Sequence, residues 1–159
     1  ALIALALAGC GETPTAKPAF YTDLARAGAS LDANDAAATI NLYRKNNGLS
    51  QVALDPGLTT LAQAYARDLA DAAARGEQIR PDGKLGTRLA AAGHPGAAAK
   101  ENVSAGYYTF AEAFSGWRDS ERHRATMLMT DARSMGIAAV YVPGSKYKVY
   151  WVLVLAKPA

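Results

Sequence analysis

The chain closes with two apolar runs that constrain everything before them, Met135 to Val142 and Tyr147 to Leu155. Both are rich in Val, Ile, Tyr and Leu, residue types that suit a pleated surface. Pro143-Gly144-Ser145-Lys146 lies between them as hairpin-turn chemistry. Neither run shows the clean apolar–polar alternation of a half-solvated strand. A sheet made from them has to be covered on both faces, and helices upstream are the available cover. This predicts an α+β fold, a three-layer α-β-α sandwich. At 159 residues the chain fits one domain with a real core.

The upstream sequence supplies those helices. Apolar residues form 50% of the chain, much of it alanine, which favours helix. A first helix is predicted from Asp35 to Asn47, capped by Asn34 or Asp35, with Ala36, Ile40 and Tyr43 on one face and Gly48 at its end. Asp55-Pro56 starts a second helix, with Asp as cap and Pro in the first turn, where its missing N–H costs nothing. Leu58, Leu61, Ala62, Tyr65, Leu69 and Ala72 follow as a core-facing stripe, and Gly76 ends it. Glu77 to Lys84 reads as a loop with a Pro81-Asp82-Gly83 turn. A short helix is predicted over Leu85–Ala92, and a loop over His94–Lys100.

The stretch from Glu101 to Leu128 carries the chemistry. Glu101 to Gly106 reads as a short strand that places Glu101 and Asn102. Thr109-x-x-Glu112 fits a capping box, and Phe110, Ala113, Phe114 and Trp117 form one face of the helix it opens. Ser120 then reads as the cap of a last short helix containing His123, Met127 and Leu128. Trp117 and Trp151 are expected in the core. Tyr107, Tyr108 and Tyr141 are candidates for an aromatic rim.

The amino terminus suggests a compartment. Residues 1–9, ALIALALAG, are apolar but too short to span a bilayer, and read as the later part of a signal peptide. Leu7-Ala8-Gly9-Cys10 resembles a bacterial lipobox, making Cys10, the one cysteine, the expected lipidation site. Acyl chains there would tether the domain to a membrane. Residues 10–32 read as a flexible tether and 33–159 as the domain. The expected localisation is extracytoplasmic, either secreted or anchored to the bacterial envelope. The formal charge of +3 is small and scattered, with no basic block among aromatics, which argues against nucleic acid as a partner.

From about Ile40 to Ala156 the chain resembles the CAP superfamily, also called SCP/PR-1-like domains, in its bacterial secreted branch. The resemblance rests on ordered pieces: Asn41-x-Tyr43-Arg44, Leu54-Asp55-x2-Leu58, Arg88-x4-Gly93, Glu101-Asn102-Val103, Gly116-Trp117-x2-Ser120-x2-His123-Arg124, Met135-Gly136-Ile137 and Tyr150-Trp151-Val152. It implies an α-β-α sandwich with a central cleft, commonly lined by two His and two Glu able to hold a divalent metal. Carried over by position, one carboxylate is Glu101 and the second histidine is His123. The other two positions depart. No histidine stands in Glu77-Gln78-Ile79-Arg80 before the Pro81-Asp82-Gly83 turn, and the second glutamate position holds Ser120.

These residues leave three readings. A Glu101/His123 cleft, with Asn102, Ser120 and Gln78 as binding residues, would serve a non-catalytic envelope module. Its partners would be lipid, wall fragments or envelope proteins. Alternatively, Glu101 acts as general base on a water oriented by His123, giving a peptidase-like hydrolase. A third reading makes the Glu101–His123 contact purely structural. Ser120 fits a cap better than a nucleophile, and a neutral His123 is expected near the start of a helix. No cofactor is expected. Glu101 with His123 would make a weak divalent metal site, and a tighter one would need His94 swung in from its Gly-His-Pro-Gly loop.

Overall fold

In the computed structural model, which describes residues 18–157, four strands form one mixed sheet. A 3₁₀ turn (Ala19–Tyr21) precedes α1 (Ala33–Asn46), β1 (Ala53–Leu54), α2 (Pro56–Ala74), α3 (Leu85–Ala91) and β2 (Ala99–Ala105). Then come α4 (Phe110–Asp119), α5 (Glu121–Met127), β3 (Ser134–Tyr141) and β4 (Val149–Ala156). The strand order is β1-β3-β4-β2, with β1 parallel to β3 and the other pairs antiparallel.

β4 is the axis. All eight of its residues are buried. Because side chains alternate across a strand, they divide between two cores. Trp151, Leu153 and Leu155 join Ile40, Phe110 and Trp117 on the face covered by α1 and α4. Tyr150, Val152 and Val154 join Leu58, Tyr65 and Leu69 of α2 on the other. The lack of alternation in sequence is therefore the signature of the three-layer sandwich, an α+β domain as expected.

Gly136 sets the distance between α2 and the sheet. A Cβ there would run into the backbone of Leu58 and Thr59, so the first turn of α2 rests directly on β3. This explains a glycine inside a strand that would otherwise be weakened by it. Gly116 plays the same part on the other face, where the Tyr107 ring fills the space of a Cβ. Asn41 fastens α1 to the sheet region with two bonds to one residue: its Nδ2 donates to the Val52 carbonyl at 2.9 Å, and its Oδ1 accepts the Val52 amide at 2.8 Å.

Several expectations shift. α1 begins earlier, capped by Asp32, whose carboxylate accepts the Asn34 and Asp35 amides at 2.9 and 3.0 Å. Three cap-competent residues stand in Asp32-Ala33-Asn34-Asp35. The first wins, directly after Leu31, which is half-buried against the core. The tether expected over residues 10–32 does not extend that far. From Pro18 the chain lies on the domain, with Leu24 buried, its amide bonded to the Tyr108 carbonyl at 2.7 Å, and Phe20 edge-on to Phe110. Phe20 and Leu24 give that stretch apolar area to bury, although it lacks helical periodicity. Residues 1–17, including Cys10 and the signal-like run, lie outside the described residues. β1 is too short for the sequence to reveal.

Gly136→Ala is expected to destabilise the domain by about 2 kcal/mol or more, since backbone cannot move aside cheaply. Gly86→Ala, in α3 with open space around it, is expected to stabilise by about 0.5–1 kcal/mol. Urea unfolding of the two variants checks both signs.

Candidate functional site

Helix α2 begins where the sequence predicts, with the Asp55 carboxylate accepting the Leu58 amide at 2.8 Å. The same Oδ1 lies 3.2 Å from His94 Nε2, tying the loop after α3 to the head of α2. Gly57 permits the approach, because a Cβ there would lie 2.7 Å from the Ala92 carbonyl oxygen. Burial alone would raise the Asp55 carboxyl, but the Leu58 amide and His94 outweigh it and hold it below the ordinary range. His94 is thus occupied at the α2–α3 junction rather than poised beside His123.

Between α2 and α3 lies an open groove of about 560 Å³. Thr60, Leu61, Ala64, Ala91 and Ala92 make its sides mostly apolar. Tyr65 and Arg88 form one end, with Asp68 near them.

Arg88 organises that end. Nη1 contacts both oxygens of Asp82 at 2.7 and 2.9 Å, and Nη2 contacts both oxygens of Glu101 at 3.0 and 2.8 Å. Its guanidinium carbon sits 3.5 Å from the centre of the Tyr65 ring, a stacked cation–π contact. The Tyr65 hydroxyl in turn accepts the Asp82 amide at 3.0 Å. Helix α2, the Pro81-Asp82-Gly83 turn, α3 and β2 are joined through this one side chain. Burial would lower the Arg88 pKa, but its two carboxylates hold it more firmly cationic than usual.

Glu101 is nearly enclosed, its side chain 5% exposed. Burial pushes its carboxyl above the ordinary range, and the pull of Arg88 only partly offsets this. Asp82 is more open. Burial would raise it too, but Arg88 and the Lys84 amide hold it below the usual carboxylate value. The Tyr65 phenol is pushed up by burial and by the nearby Glu101 carboxylate.

The expected Glu101/His123 pair is not assembled. No hydrogen bond or ion pair joins the two among the described residues; both Glu101 oxygens belong to Arg88. Neighbouring residues of a strand point to opposite sides. Glu101 turns toward α2 and α3, while Asn102 turns toward α5 and donates from Nδ2 to the His123 carbonyl at 2.9 Å. Asn102 is fully buried, and its Oδ1 has no partner among the described residues. His123 is half-buried, and burial followed by the Arg122 charge lowers its pKa, so a neutral ring is favoured for that reason first.

Two other expected residues take no part. Ser120 joins α4 to α5, but its hydroxyl makes no cap bond. Its carbonyl accepts the Arg124 amide at 2.8 Å, because the helices follow each other with no linker to orient the side chain. Gln78 is exposed in its loop. No three of His, Cys, Asp and Glu converge among the described residues. Of the aromatic rim, Tyr108 is exposed, whereas Tyr107 is packed on Gly116.

A family model described as CAP, the cysteine-rich secretory protein family, matches residues 37–155. The chain belongs to that family. It is similar in fold to an extracellular SCP-domain protein of Bacillus anthracis, with 21% identity and a TM-score of 0.63 over 78% of this chain and 39% of that one. An outer surface protein of Borrelia burgdorferi matches at 16% identity and a TM-score of 0.67, over 83% of this chain and 99% of that one. A cysteine-rich secretory protein of Staphylococcus aureus matches at 18% identity and a TM-score of 0.61, over 78% and 37%. The chain therefore spans about two-fifths of the Bacillus and Staphylococcus chains. No curated protein matches it. Among the described residues, no helix is long and apolar enough to cross a membrane.

Arg88 and Arg44 were absent from the sequence-predicted site. The Arg88-x4-Gly93 piece of the resemblance was the available signal for the first. Arg44 is fully buried and has no carboxylate partner among the described residues. Its Nη1 donates to the Met127 and Met129 carbonyls at 2.8 and 3.0 Å, and its Nε to the Ser50 carbonyl at 2.9 Å. It thereby pins the end of α5 to α1.

Arg88→Met leaves Glu101 and Asp82 without their shared cation. It is expected to cost about 3 kcal/mol, the low end for a broken buried pair because Asp82 is partly exposed. Arg88→Lys should recover less than half of the loss, since an ammonium cannot grip two carboxylates through paired bonds. Denaturant unfolding measures both.

The His123 ring is expected to titrate below the ordinary value of about 6.5. The unfolded chain then binds the extra proton more readily, so this contribution to stability is present above about pH 6.5 and lost as the pH falls through the folded value. NMR of the imidazole, with stability compared against His123→Gln across that window, tests the sign.

Proposed function

We propose that this chain is an extracytoplasmic binding module of the bacterial envelope, with the α2–α3 groove, rather than a Glu101/His123 cleft, as its ligand site. The observation that carries this reading is the double grip of Arg88 on Glu101. A carboxylate with both oxygens bonded to a guanidinium is a poor base for a water molecule. The same grip stiffens one end of a groove whose walls are small and apolar. Such concave, largely apolar sites with a few fixed polar groups suit small-molecule binding.

The charges narrow the ligand. Asp82 and Glu101 flank the single Arg88 at the groove end, and Asp68 also lines the groove. An anionic head group would meet more negative than positive charge there. The ligand class that fits is apolar, with a neutral or cationic polar end. The extracellular and outer-surface relatives agree with a location outside the cytoplasm. The lipobox-like Leu7-Ala8-Gly9-Cys10 supports a lipid anchor at Cys10. Either arrangement would present the groove to envelope lipids or hydrophobic wall components.

One observation favours a hydrolase as the second reading. A buried carboxyl with a raised pKa beside a groove is the kind of group that enzymes use for proton transfer. Any such activity would be abolished by Glu101→Gln.

Ala64 is exposed on the groove wall, so Ala64→Trp fills the site without disturbing the core. Titration of the full chain with the neutral apolar dye Nile red is expected to show saturable binding. Ala64→Trp should weaken it at least about tenfold, with an unchanged melting temperature. Equal binding by the variant would sink the groove as the site. Peptide hydrolysis by the wild type that Glu101→Gln removes would favour the enzyme instead.

A further inference from the structure

The sheet edge opposite β2 is unfinished. β1 pairs with β3 only at Ser134 and Met135. Beyond Met135 no strand lies on the outer side of β3 among the described residues. The Met135 carbonyl accepts the Asp55 amide on that side at 2.8 Å. Strand alternation turns the N–H and C=O groups of Ile137, Ala139 and Tyr141 the same way. None of them makes a backbone bond there among the described residues.

A groove of about 370 Å³ runs along this edge and touches every residue from Ile137 to Tyr141. Side chains in that run alternate between the two faces, so a groove reaching all five lies along the edge and not over a face. One wall is Thr59, Gln63 and Arg67, one turn apart on α2; the other is Arg26, Gly28 to Leu31, and Ala33. The edge lacks the usual blunting devices of lysine, proline or an inward charge, reading Gly136-Ile137-Ala138-Ala139-Val140-Tyr141.

We propose that this edge binds an extended acidic peptide segment, which adds a strand to the sheet beside β3. Backbone bonding at Ala139 and Tyr141 would supply affinity, as in other cases of strand addition. Charge selects the occupant. The charged side chains lining the groove are Arg26 and Arg67, and neither is ion-paired among the described residues. A second copy of this chain pairing edge to edge about a two-fold axis would set this positively charged groove against itself. That repulsion disfavours a symmetric dimer and favours a partner with carboxylates. The proposal is independent of the α2–α3 groove, with which this one shares no lining residue.

The test uses the full chain and the blocked peptide Asp-Val-Thr-Val-Glu, titrated by calorimetry and followed by NMR of the backbone amides. Saturable binding is expected, with slowed exchange at Ala139 and Tyr141. A Lys-flanked version should bind at least about tenfold more weakly. A version with its backbone nitrogens methylated should not bind, because the new strand could no longer donate to the edge. Ala139→Pro removes an outward N–H while leaving the ladder to β4 intact, and is expected to abolish binding. If that variant does not fold, Arg67→Glu on the exposed side of α2 should still reverse the charge preference. The proposal fails if no peptide binds, or if the methylated peptide binds equally well. It also fails if Ala139 and Tyr141 are already protected in the free chain, which would place residues 1–17 or a second copy on the edge. Sedimentation distinguishes those two occupants.

Discussion

Burial of the sheet on both faces is the constraint on which the rest of this structure depends. β4 has no residue in contact with solvent to any extent, so helices must lie above and below it. That requirement fixes where every strand residue goes. It sends Trp151 to one core and Val152 to the other, and it brings α2 down until Gly136 touches its backbone. It also separates Glu101 from Asn102, one residue apart in sequence and directed to opposite layers.

Two arginines, Arg44 fully buried and Arg88 partly so, join those layers in different ways. Arg88 is compensated by two carboxylates and an aromatic face, which makes it a rigid joint at the end of the α2–α3 groove. Arg44 has only carbonyl oxygens, three of them, and burial lowers its pKa with a smaller push from Arg133. Carbonyl groups carry partial charge, and the Met127 and Met129 oxygens lie at the end of α5, where helix dipoles favour a cation. In both cases the guanidinium fork reaches several acceptors at once, which a lysine could not do.

The two candidate surfaces draw on different residues of α2. Against α3 and its charged joint, Thr60 and Ala64 face an apolar groove between helices. Near β3 the partner strand is only two residues long, leaving backbone groups and two arginines. An asymmetric finish of this kind follows from a sheet with one long central hairpin and unequal flanking strands.

The layers, the starts of α2 and α4, and the family were legible in the amino-acid sequence. The apolar runs without alternation, Asp55-Pro56 and the Thr109–Glu112 capping box each encode a local rule that tertiary contacts had no reason to override. Motif order also placed Glu101 on its strand and His123 on its helix. Sequence did not show which way those side chains face, or that Arg88 holds Glu101 across 13 positions of chain. Nor did it show that Phe20 and Leu24 would draw residues 18–31 onto the domain. These outcomes depend on strand register, on sheet pleat and on the closeness of α2 to β3. A charged residue in isolation carries no mark of its partner; which groups meet is settled by the packing of the layers.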